Sequence, residues 1–225
     1  MTLFFDFGGT LDTHGIHWFD MFADAYSHSL SEVDRAVLWD GYVAAEQYLE
    51  KERVILPSDG FQSTLRKKML LHAEQLQFPT SVVDTALRYV NSYVSSCLTE
   101  SKLLLERLHA SFPIALVSNF YGNLTTVLEE IGMTSCIDVV IDSTTVGIRK
   151  PSLQIYQHAL QLMNSQPTQT LMVGDSMKND ILPCRQLGLQ TIWLNPKETT
   201  QTPLPQAQVT KFQQVANILS NPTLK

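Results

Sequence analysis

Short apolar runs alternate with segments of helical spacing along most of this chain, and this alternation constrains its fold more than any other feature. The first run, residues 3–7, is apolar apart from Asp6, and the others, 112–118, 137–141, 170–173 and 189–194, are rich in Val, Ile or Leu. Apolar residues at helical spacing lie between them, at about 101–109, 123–131, 151–163 and 178–187. Short buried strands that alternate with helices are typical of βαβ units, which form a mostly parallel sheet. The pattern predicts a Rossmann-like, doubly wound α/β fold with helices on both faces of the sheet.

Residues 15–98 interrupt this alternation with a purely helical pattern. Apolar side chains recur every third or fourth position over 82–97 and again over 61–76, as they do on amphipathic helices. A capping box over residues 31–34 predicts the start of a third helix, which continues past Gly41. We therefore expect a helical insertion immediately after the first strand.

This insertion divides the chain into two predicted domains. Residues 14–98 would form a helical cap, and residues 1–13 together with 99–225 would form the α/β core. Near the end of the core, the polar segment 195–208 predicts a loop, and the apolar residues of 212–219 predict a closing helix.

Charge and cysteine content exclude several classes of function. The chain of 225 residues has 16 Lys and Arg against 22 Asp and Glu, so it offers no broad cationic surface and we expect no nucleic-acid partner. Its three cysteines are widely spaced and odd in number, which fits a reducing cytoplasm better than a disulfide framework. No run is apolar and long enough to span a membrane, and the amino terminus lacks a signal peptide, so we expect a cytoplasmic protein without a membrane partner.

Polar motifs follow four of the predicted strands. They are Asp6-Phe7-Gly8-Gly9-Thr10, Ser118-Asn119, Lys150-Pro151, and Gly174-Asp175-Ser176 with Asn179-Asp180. The carboxyl ends of parallel strands meet at one edge of a sheet, so these motifs would converge on one crevice. Asp6 and Asp175 could share a Mg²⁺ ion, which prefers oxygen ligands. Lys150 and the hydroxyl of Ser118 could neutralise and bind the oxygens of a phosphoryl group.

Together, these motifs and their order resemble the haloacid dehalogenase (HAD) superfamily of phosphatases, and the resemblance covers essentially the whole chain. It implies that Asp6 is a nucleophile that forms an aspartyl-phosphate. It also implies catalytic and phosphate-binding roles for Lys150, and phosphate binding by Ser118, Asn119 and Thr10.

The resemblance further implies a metal site and a substrate class. Mg²⁺ would be bound by Asp6, the backbone carbonyl of Gly8, Asp175 and Asp180. The helical insertion looks like the C1 cap of the family, which selects substrate and excludes water. The implied activity is a Mg²⁺-dependent phosphohydrolase that acts on a small phosphorylated metabolite.

Position 8 departs from the family pattern. Phosphatases of this family usually carry a second Asp two residues after the nucleophile, where it protonates the leaving group and then activates water, but this chain has Gly8. General acid–base catalysis contributes roughly 10²–10⁴ in rate, so its loss would restrict turnover. A substrate with a good leaving group would compensate, and so would a substitute acid and base, for which Asp12, His14 and His17 are the candidates.

Two other functions are consistent with Gly8. The protein could be a phosphometabolite-binding protein with weakened catalysis. It could also hydrolyse a carbon–phosphorus bond, as relatives with a small residue at this position do through a Schiff base on a cap lysine. That reaction would require Lys51, Lys67 or Lys68 in the pocket.

Overall fold

A single six-stranded parallel sheet forms the centre of the molecule. The computed structural model describes residues 1–28, 30, 34–197 and 206–219. In chain order the strands are β1 (Thr2–Phe5), β2 (Ile114–Ser118), β3 (Val139–Asp142), β4 (Thr170–Gly174), β5 (Gln190–Leu194) and β6 (Ala207–Val209). Their order across the sheet is β3-β2-β1-β4-β5-β6, and every neighbouring pair is parallel. The prediction of a doubly wound α/β fold is confirmed.

Nine α-helices in the described part of the chain accompany this sheet. They are α1 (Trp18–Ser27), α2 (Arg35–Glu52), α3 (Phe61–Gln75), α4 (Thr80–His109), α5 (Leu124–Glu130), α6 (Ser143–Val146), α7 (Leu153–Leu162), α8 (Leu182–Gln186) and α9 (Phe212–Leu219). Helices α1 to α3 and the first part of α4 form the predicted helical insertion, and α9 is the predicted closing helix. Among the described helices, none combines the length and apolar character that a membrane-spanning helix requires.

Helix α2 continues past Gly41 as predicted, but it begins at Arg35 with Asp34 as its cap, whereas the capping box predicts Asp34 as the third residue of the helix. The side chain of Asp34 caps it by accepting a hydrogen bond from Ala36 N at 2.8 Å, whereas the other capping-box residues, 31–33, lie outside the described residues. The missing side chain of Gly41 leaves room for Leu76, because a Cβ at position 41 would lie only 2.7 Å from Leu76 Cδ2.

Helix α4 differs from the prediction, because it is one helix of 30 residues where the sequence predicts two. It passes without a break through the predicted boundary between residues 98 and 99. No glycine or proline interrupts this segment, and its buried face continues from Val94 and Leu98 to Leu105 and Leu108. The division into cap and core remains a prediction, and its boundary falls inside this helix.

Three further elements differ in detail. Helix α7 begins at Leu153 with Ser152 as its cap, so Pro151 lies outside the helix that it was expected to open. The predicted helix over 178–187 is divided into a π-helical turn, Met177–Ile181, and α8. Strand β6 lies within the predicted loop 195–208, of which residues 198–205 lie outside the described residues.

Candidate active site

The carboxylate of Asp6 lies directly beyond the central strand β1. The backbone N–H of Asp6 donates to the carbonyl of Val173 at 3.1 Å, which holds it in line with the sheet. Its side chain is only 7% exposed. Oxygen Oδ1 accepts a hydrogen bond from the Ser118 hydroxyl at 2.8 Å and lies 2.8 Å from the Nζ atom of Lys150. Three of the predicted site residues are therefore in direct contact.

Lys150 joins Asp6 to a second carboxylate, that of Asp180. Its ammonium lies 2.6 Å from Asp180 Oδ1 and is almost completely buried. Burial alone would lower the pKa of Lys150, but the charges of Asp180 and Asp6 outweigh it, and the pKa lies well above its usual value. Lys150 is therefore a cation at neutral pH.

Asp180 reaches the site because of the π-helical turn that carries it. The N–H groups of Asp180 and Ile181 both donate to the carbonyl of Ser176, at 2.8 and 3.2 Å. In return, Asp180 Oδ2 accepts a hydrogen bond from Ser176 N at 3.0 Å. Burial raises the pKa of Asp180 to about 6, although the ammonium of Lys150 opposes this shift. Such wide turns inside helices frequently occur at functional sites.

Asp175 faces Asp6 from the end of β4. Its Oδ1 accepts a hydrogen bond from the Thr10 hydroxyl at 3.0 Å, and its own N–H donates to the same hydroxyl at 3.0 Å. Burial and the nearby charges of Asp6 and Asp180 raise the pKa of Asp175 well above its usual value. In this arrangement the Thr10 side chain orients Asp175, and phosphate binding by Thr10 remains a prediction.

These three carboxylates fit a divalent cation. Asp6, Asp175 and Asp180 each offer an oxygen, and the three atoms lie within 4.8 Å of one another. Two glycines make the space for this cluster, because a Cβ at Gly9 would lie 2.6 Å from the Asp175 carboxylate and a Cβ at Gly174 would lie 2.5 Å from that of Asp180. Clustered carboxylate oxygens suit Mg²⁺, and a bound cation would remove the repulsion that raises the pKa of Asp175.

Asn119 supports the site through the backbone of Lys150. Its side-chain amide donates to the Lys150 carbonyl at 3.0 Å and accepts from the Lys150 N–H at 2.8 Å. The turn after β2 is also held by Asp142, whose carboxylate accepts from the N–H groups of Gly122 and Leu124 at 2.8 and 3.2 Å. The Asn119 side chain thus positions Lys150, and its predicted contact with phosphate remains untested. Sequence reasoning missed Asp142, although its place at the end of β3 was a usable signal.

A cavity of about 170 Å³ opens beside this cluster, between the helical insertion and the sheet. It is lined by Gly8, Gly9, His17, Trp18, Tyr42, Glu46, Lys68, Asn119, Phe120, Tyr121 and Asp175. Lys68 is the most buried charged side chain that lines it, and its Nζ lies 3.0 Å from Glu46 Oε1 and over the rings of Trp18 and Tyr121. Glu46 also accepts a hydrogen bond from the Tyr121 hydroxyl at 2.5 Å. Sequence reasoning named Lys68 only as one of three lysines and missed Glu46 and Tyr121, for which it offered no signal.

The three candidates for a substitute acid and base occupy different places. Asp12 is buried directly beside Gly8, where a Cβ would lie 4.0 Å from Asp12 Oδ2. His14 stacks on Phe212 with ring centres 4.2 Å apart and bonds to the Ser101 hydroxyl, and it does not line the cavity. His17 is exposed at the cavity, and its Nδ1 accepts the N–H of Phe19 as the cap of α1.

The chain matches known proteins over most of its length. The family model of haloacid dehalogenase-like hydrolases matches residues 1–188. The pyrimidine 5'-nucleotidase YjjG of Escherichia coli is 32% identical over 133 residues, which are 57% of this chain and 58% of that protein. The ribulose-1,5-bisphosphate 5-phosphatase of Halopiger xanaduensis is 27% identical over 164 residues, or 68% of this chain and 69% of that protein. The first of these relatives is thus matched over less than two thirds of its length.

Solved structures share the fold. The magnesium-bound HAD-hydrolase YfnB of Bacillus subtilis superposes with a TM-score of 0.60 at 16% identity, and the alignment covers 98% of each chain. A HAD phosphatase from Thermococcus onnurineus gives a TM-score of 0.57 at 17% identity over 97% of each chain. The family model, the sheet topology and the carboxylate cluster define a hydrolase of this class. This chain belongs to the haloacid dehalogenase-like hydrolases, as its motifs indicated.

Proposed function

We propose that this protein is a Mg²⁺-dependent phosphatase that transfers the phosphoryl group of a small metabolite to Asp6 and then to water. The observation that carries the proposal is the cluster of Asp6, Ser118, Lys150, Asp175 and Asp180, which brings together segments that follow β1, β2, β3 and β4. A buried carboxylate paired with only one ammonium, beside two more carboxylates, is costly unless the site also receives positive charge.

Each side chain has a distinct task in this reaction. Asp6 attacks phosphorus, and its orientation is fixed by the hydroxyl of Ser118 and the ammonium of Lys150. Lys150 and Ser118 then donate to the phosphoryl oxygens, where charge develops in the transition state. Mg²⁺, held by Asp6, Asp175, Asp180 and the Gly8 carbonyl, would supply charge neutralisation for an anionic substrate.

The size of the cavity supports a small substrate. Its volume of about 170 Å³ is below the roughly 300–1,000 Å³ of pockets for drug-sized ligands. The phosphatase relatives act, by their names, on phosphorylated metabolites such as ribulose-1,5-bisphosphate and glyceraldehyde 3-phosphate. The wall formed by Lys68, Glu46 and Tyr121 faces the part of the substrate beyond its phosphoryl group.

Replacement of the nucleophile tests the proposal. With Mg²⁺ and p-nitrophenyl phosphate, Asp6→Asn should release phosphate more than about a thousandfold more slowly than the wild type. The matched control is Asp84→Asn, the same chemical change at an exposed residue of α4 paired with Arg66, and it should leave the rate unchanged. Equal rates for Asp6→Asn and the wild type would contradict the proposal.

Carbon–phosphorus hydrolysis is a second candidate, because Lys68 lines the cavity whereas Lys51 is 82% exposed and Lys67 is bound to Asp59. Imine formation needs an uncharged amine. Burial would lower the pKa of Lys68, but Glu46 and its neighbours outweigh this effect and raise it above its usual value. Borohydride reduction in the presence of a phosphonate aldehyde distinguishes the two reactions: a covalent adduct on Lys68 would favour the second candidate.

A further inference from the structure

A buried carboxylate, that of Asp12, lies behind the open side of Gly8 and has no task in the chemistry described so far. It is 1% exposed. Its Oδ1 accepts the Gly9 N–H at 2.7 Å, and its Oδ2 accepts the indole N–H of Trp18 at 2.9 Å. A side chain at position 8 would begin 4.0 Å from Asp12 Oδ2 and 3.8 Å from Trp18 Nε1. Gly8 and Trp18 both line the cavity, and Asp12 lies directly behind them without lining it itself.

Phosphoryl transfer to Asp6 leaves two proton transfers without a donor or an acceptor. The oxygen that leaves phosphorus needs a proton, and the water that later attacks must lose one. Ser118 and Lys150 are engaged with Asp6, and Asp180 is paired with Lys150. A group that serves both transfers must come within hydrogen-bond distance of the leaving oxygen, beside the nucleophile.

The histidines meet this requirement less well than Asp12. His14 contacts Phe212 and Ser101, neither of which lines the cavity. His17 lies at the cavity, but it is exposed to solvent and caps α1. Asp12 is instead oriented by hydrogen bonds from Gly9 and Trp18, and both of these donors line the cavity.

We propose that Asp12 is the general acid and general base of this reaction, acting through the space that Gly8 leaves open. The inference rests on the proposed phosphatase function. Asp12, six positions after the nucleophile, would carry out both proton transfers, because Gly8 has no side chain that could do so.

Both steps balance. In the first, an Asp6 oxygen bonds to phosphorus, the bond from phosphorus to the leaving oxygen breaks, and the proton of the Asp12 carboxyl moves to that oxygen. In the second, the Asp12 carboxylate removes a proton from water, the water oxygen bonds to phosphorus, and the bond to Asp6 breaks. Asp12 ends protonated, and phosphate and the dephosphorylated product leave.

The environment of Asp12 suits a group that both gives and takes a proton. Burial raises its pKa to about 7, against the hydrogen bonds from Gly9 and Trp18, which lower it. The charges nearest to it act in opposite directions, because Asp6 raises the pKa and Lys68 lowers it. A carboxyl with a pKa near 7 is protonated in a large fraction of molecules at neutral pH.

The variant Asp12→Asn tests the assignment with p-nitrophenyl phosphate, whose phenolate leaves without protonation. The first turnover should proceed at close to the wild-type rate, whereas hydrolysis of phosphorylated Asp6 should slow by roughly 10²–10⁴. Rapid mixing should therefore show a burst of p-nitrophenol equal to the enzyme concentration, followed by slow turnover. A merely structural role for Asp12 would lower the burst and the later turnover together, and that result would overturn the assignment.

Restoring a carboxylate at position 8 provides the matched rescue. The backbone at Gly8 lies outside the left-handed region, and a Cβ there would lie no closer than 3.8 Å to its nearest neighbour, Trp18 Nε1. The double variant Gly8→Asp/Asp12→Asn should regain at least tenfold in the second step, whereas Gly8→Asn/Asp12→Asn should not. Rescue by both would overturn the assignment.

A measurement on the wild type covers the case in which Asp12→Asn does not fold. Across aryl phosphates of increasing leaving-group pKa, the first-turnover rate of the wild type should change little, because Asp12 protonates the departing oxygen. A steep decline would contradict the role of Asp12 while leaving nucleophilic attack by Asp6 intact. Failure of the phosphatase function itself would instead be visible as turnover that is unaffected by Asp6→Asn.

Discussion

At the scale of single residues, the adjacent glycines Gly8 and Gly9 serve the site in opposite ways. Gly9 has a φ of +94°, and a Cβ there would lie 2.6 Å from Asp175. Its lack of a side chain is therefore a requirement of the backbone turn and of the carboxylate cluster. Gly8 has no such constraint, and its missing side chain leaves space between the cavity and Asp12.

Alanine substitutions should separate these two roles. Gly9→Ala combines an unfavourable φ with a collision against Asp175, so we expect it to lower the free energy of unfolding by at least about 1 kcal/mol and to abolish Mg²⁺-dependent turnover. Gly8→Ala should fold as stably as the wild type. Urea unfolding monitored by circular dichroism would measure both, and equal stability of the two variants would contradict the geometry of this turn.

His14 gives a pH dependence at the same scale. Burial lowers its pKa from 6.5 to about 4, so the folded protein keeps His14 neutral where the unfolded chain protonates it. The stability contribution is complete above pH 6.5 and declines as the pH falls towards about 4. It amounts to at most about 3 kcal/mol, because each pKa unit corresponds to about 1.4 kcal/mol and the ring is partly exposed.

The variant His14→Asn isolates this contribution, since asparagine does not titrate and tolerates the left-handed φ of 51° at this position. Chemical unfolding of both proteins at several pH values would measure the difference. The wild type should lose its advantage over the variant between pH 6.5 and pH 4. A constant difference across this range would contradict a buried, neutral His14.

At the scale of elements, helix α4 is one continuous helix that runs from the helical insertion to the sheet. Its first half packs beside α1 and α3, and its second half ends one short turn before β2. The buried apolar cluster is likewise continuous, from Leu3 in β1 to Tyr26 in α1 and Val83 in α4. Local loss of helix near residue 98 should therefore affect both halves of the molecule.

Proline at Ser96 tests this continuity. Ser96 is exposed in the middle of α4, so Ser96→Ala should leave stability unchanged or slightly raised. Ser96→Pro removes a backbone hydrogen bond and collides with the preceding turn, which costs about 3 kcal/mol in a helix interior. Equal urea midpoints for the two variants would show that α4 is not continuous at this point.

The elements that the sequence predicted are those fixed by local patterns, and the elements that it missed depend on tertiary contacts. Strands β1 to β5 and the motifs that follow them were predicted, because buried strands and their polar ends are local patterns. The π-helical turn that presents Asp180 depends on hydrogen bonds to Ser176 that helical spacing does not encode. Strand β6 has only three residues, and its pairing with β5 is a tertiary contact.

The residues of the site also fall into those predicted from local motifs and those whose roles depend on tertiary contacts. Asp6, Ser118, Lys150, Asp175 and Asp180 were predicted from motifs, and the structure brings them together. The orienting roles of Thr10 and Asn119, by contrast, are visible only in their contacts with Asp175 and Lys150. Residues of the helical insertion such as Glu46 reach the cavity through the packing of α2, which no local pattern specifies.

At the scale of the whole molecule, the segment after β2 ties the sheet to the insertion above the cavity. Asn123 donates to the carbonyl of Asp59 and to the hydroxyl of Thr64, both at 2.7 Å, and the Tyr121 hydroxyl donates to Glu46. Asp175 of the carboxylate cluster lines the same cavity as Glu46 and Tyr121. Binding of a cation there should stabilise the whole structure, because the unfolded chain has no preformed site.

Thermal unfolding with and without Mg²⁺ tests this coupling. The wild type should melt at a higher temperature in Mg²⁺, corresponding to about 2.7 kcal/mol when the ion is present at a hundred times its dissociation constant, and chelation should reverse the shift. Asp175→Asn should reduce the shift, whereas Asp84→Asn, remote from the cluster, should keep it. An identical melting temperature with and without Mg²⁺ would contradict a metal site at these carboxylates.

The central claim is that Asp6 carries the phosphoryl group during turnover. Acid quenching of the wild type during hydrolysis of p-nitrophenyl phosphate in Mg²⁺, followed by peptide mass spectrometry, locates that group directly. We expect an acyl phosphate on the peptide that contains Asp6, increased in Asp12→Asn and absent in Asp6→Asn. A phosphoryl group on any other residue, or continued turnover without phosphorylation of Asp6, would contradict the central claim.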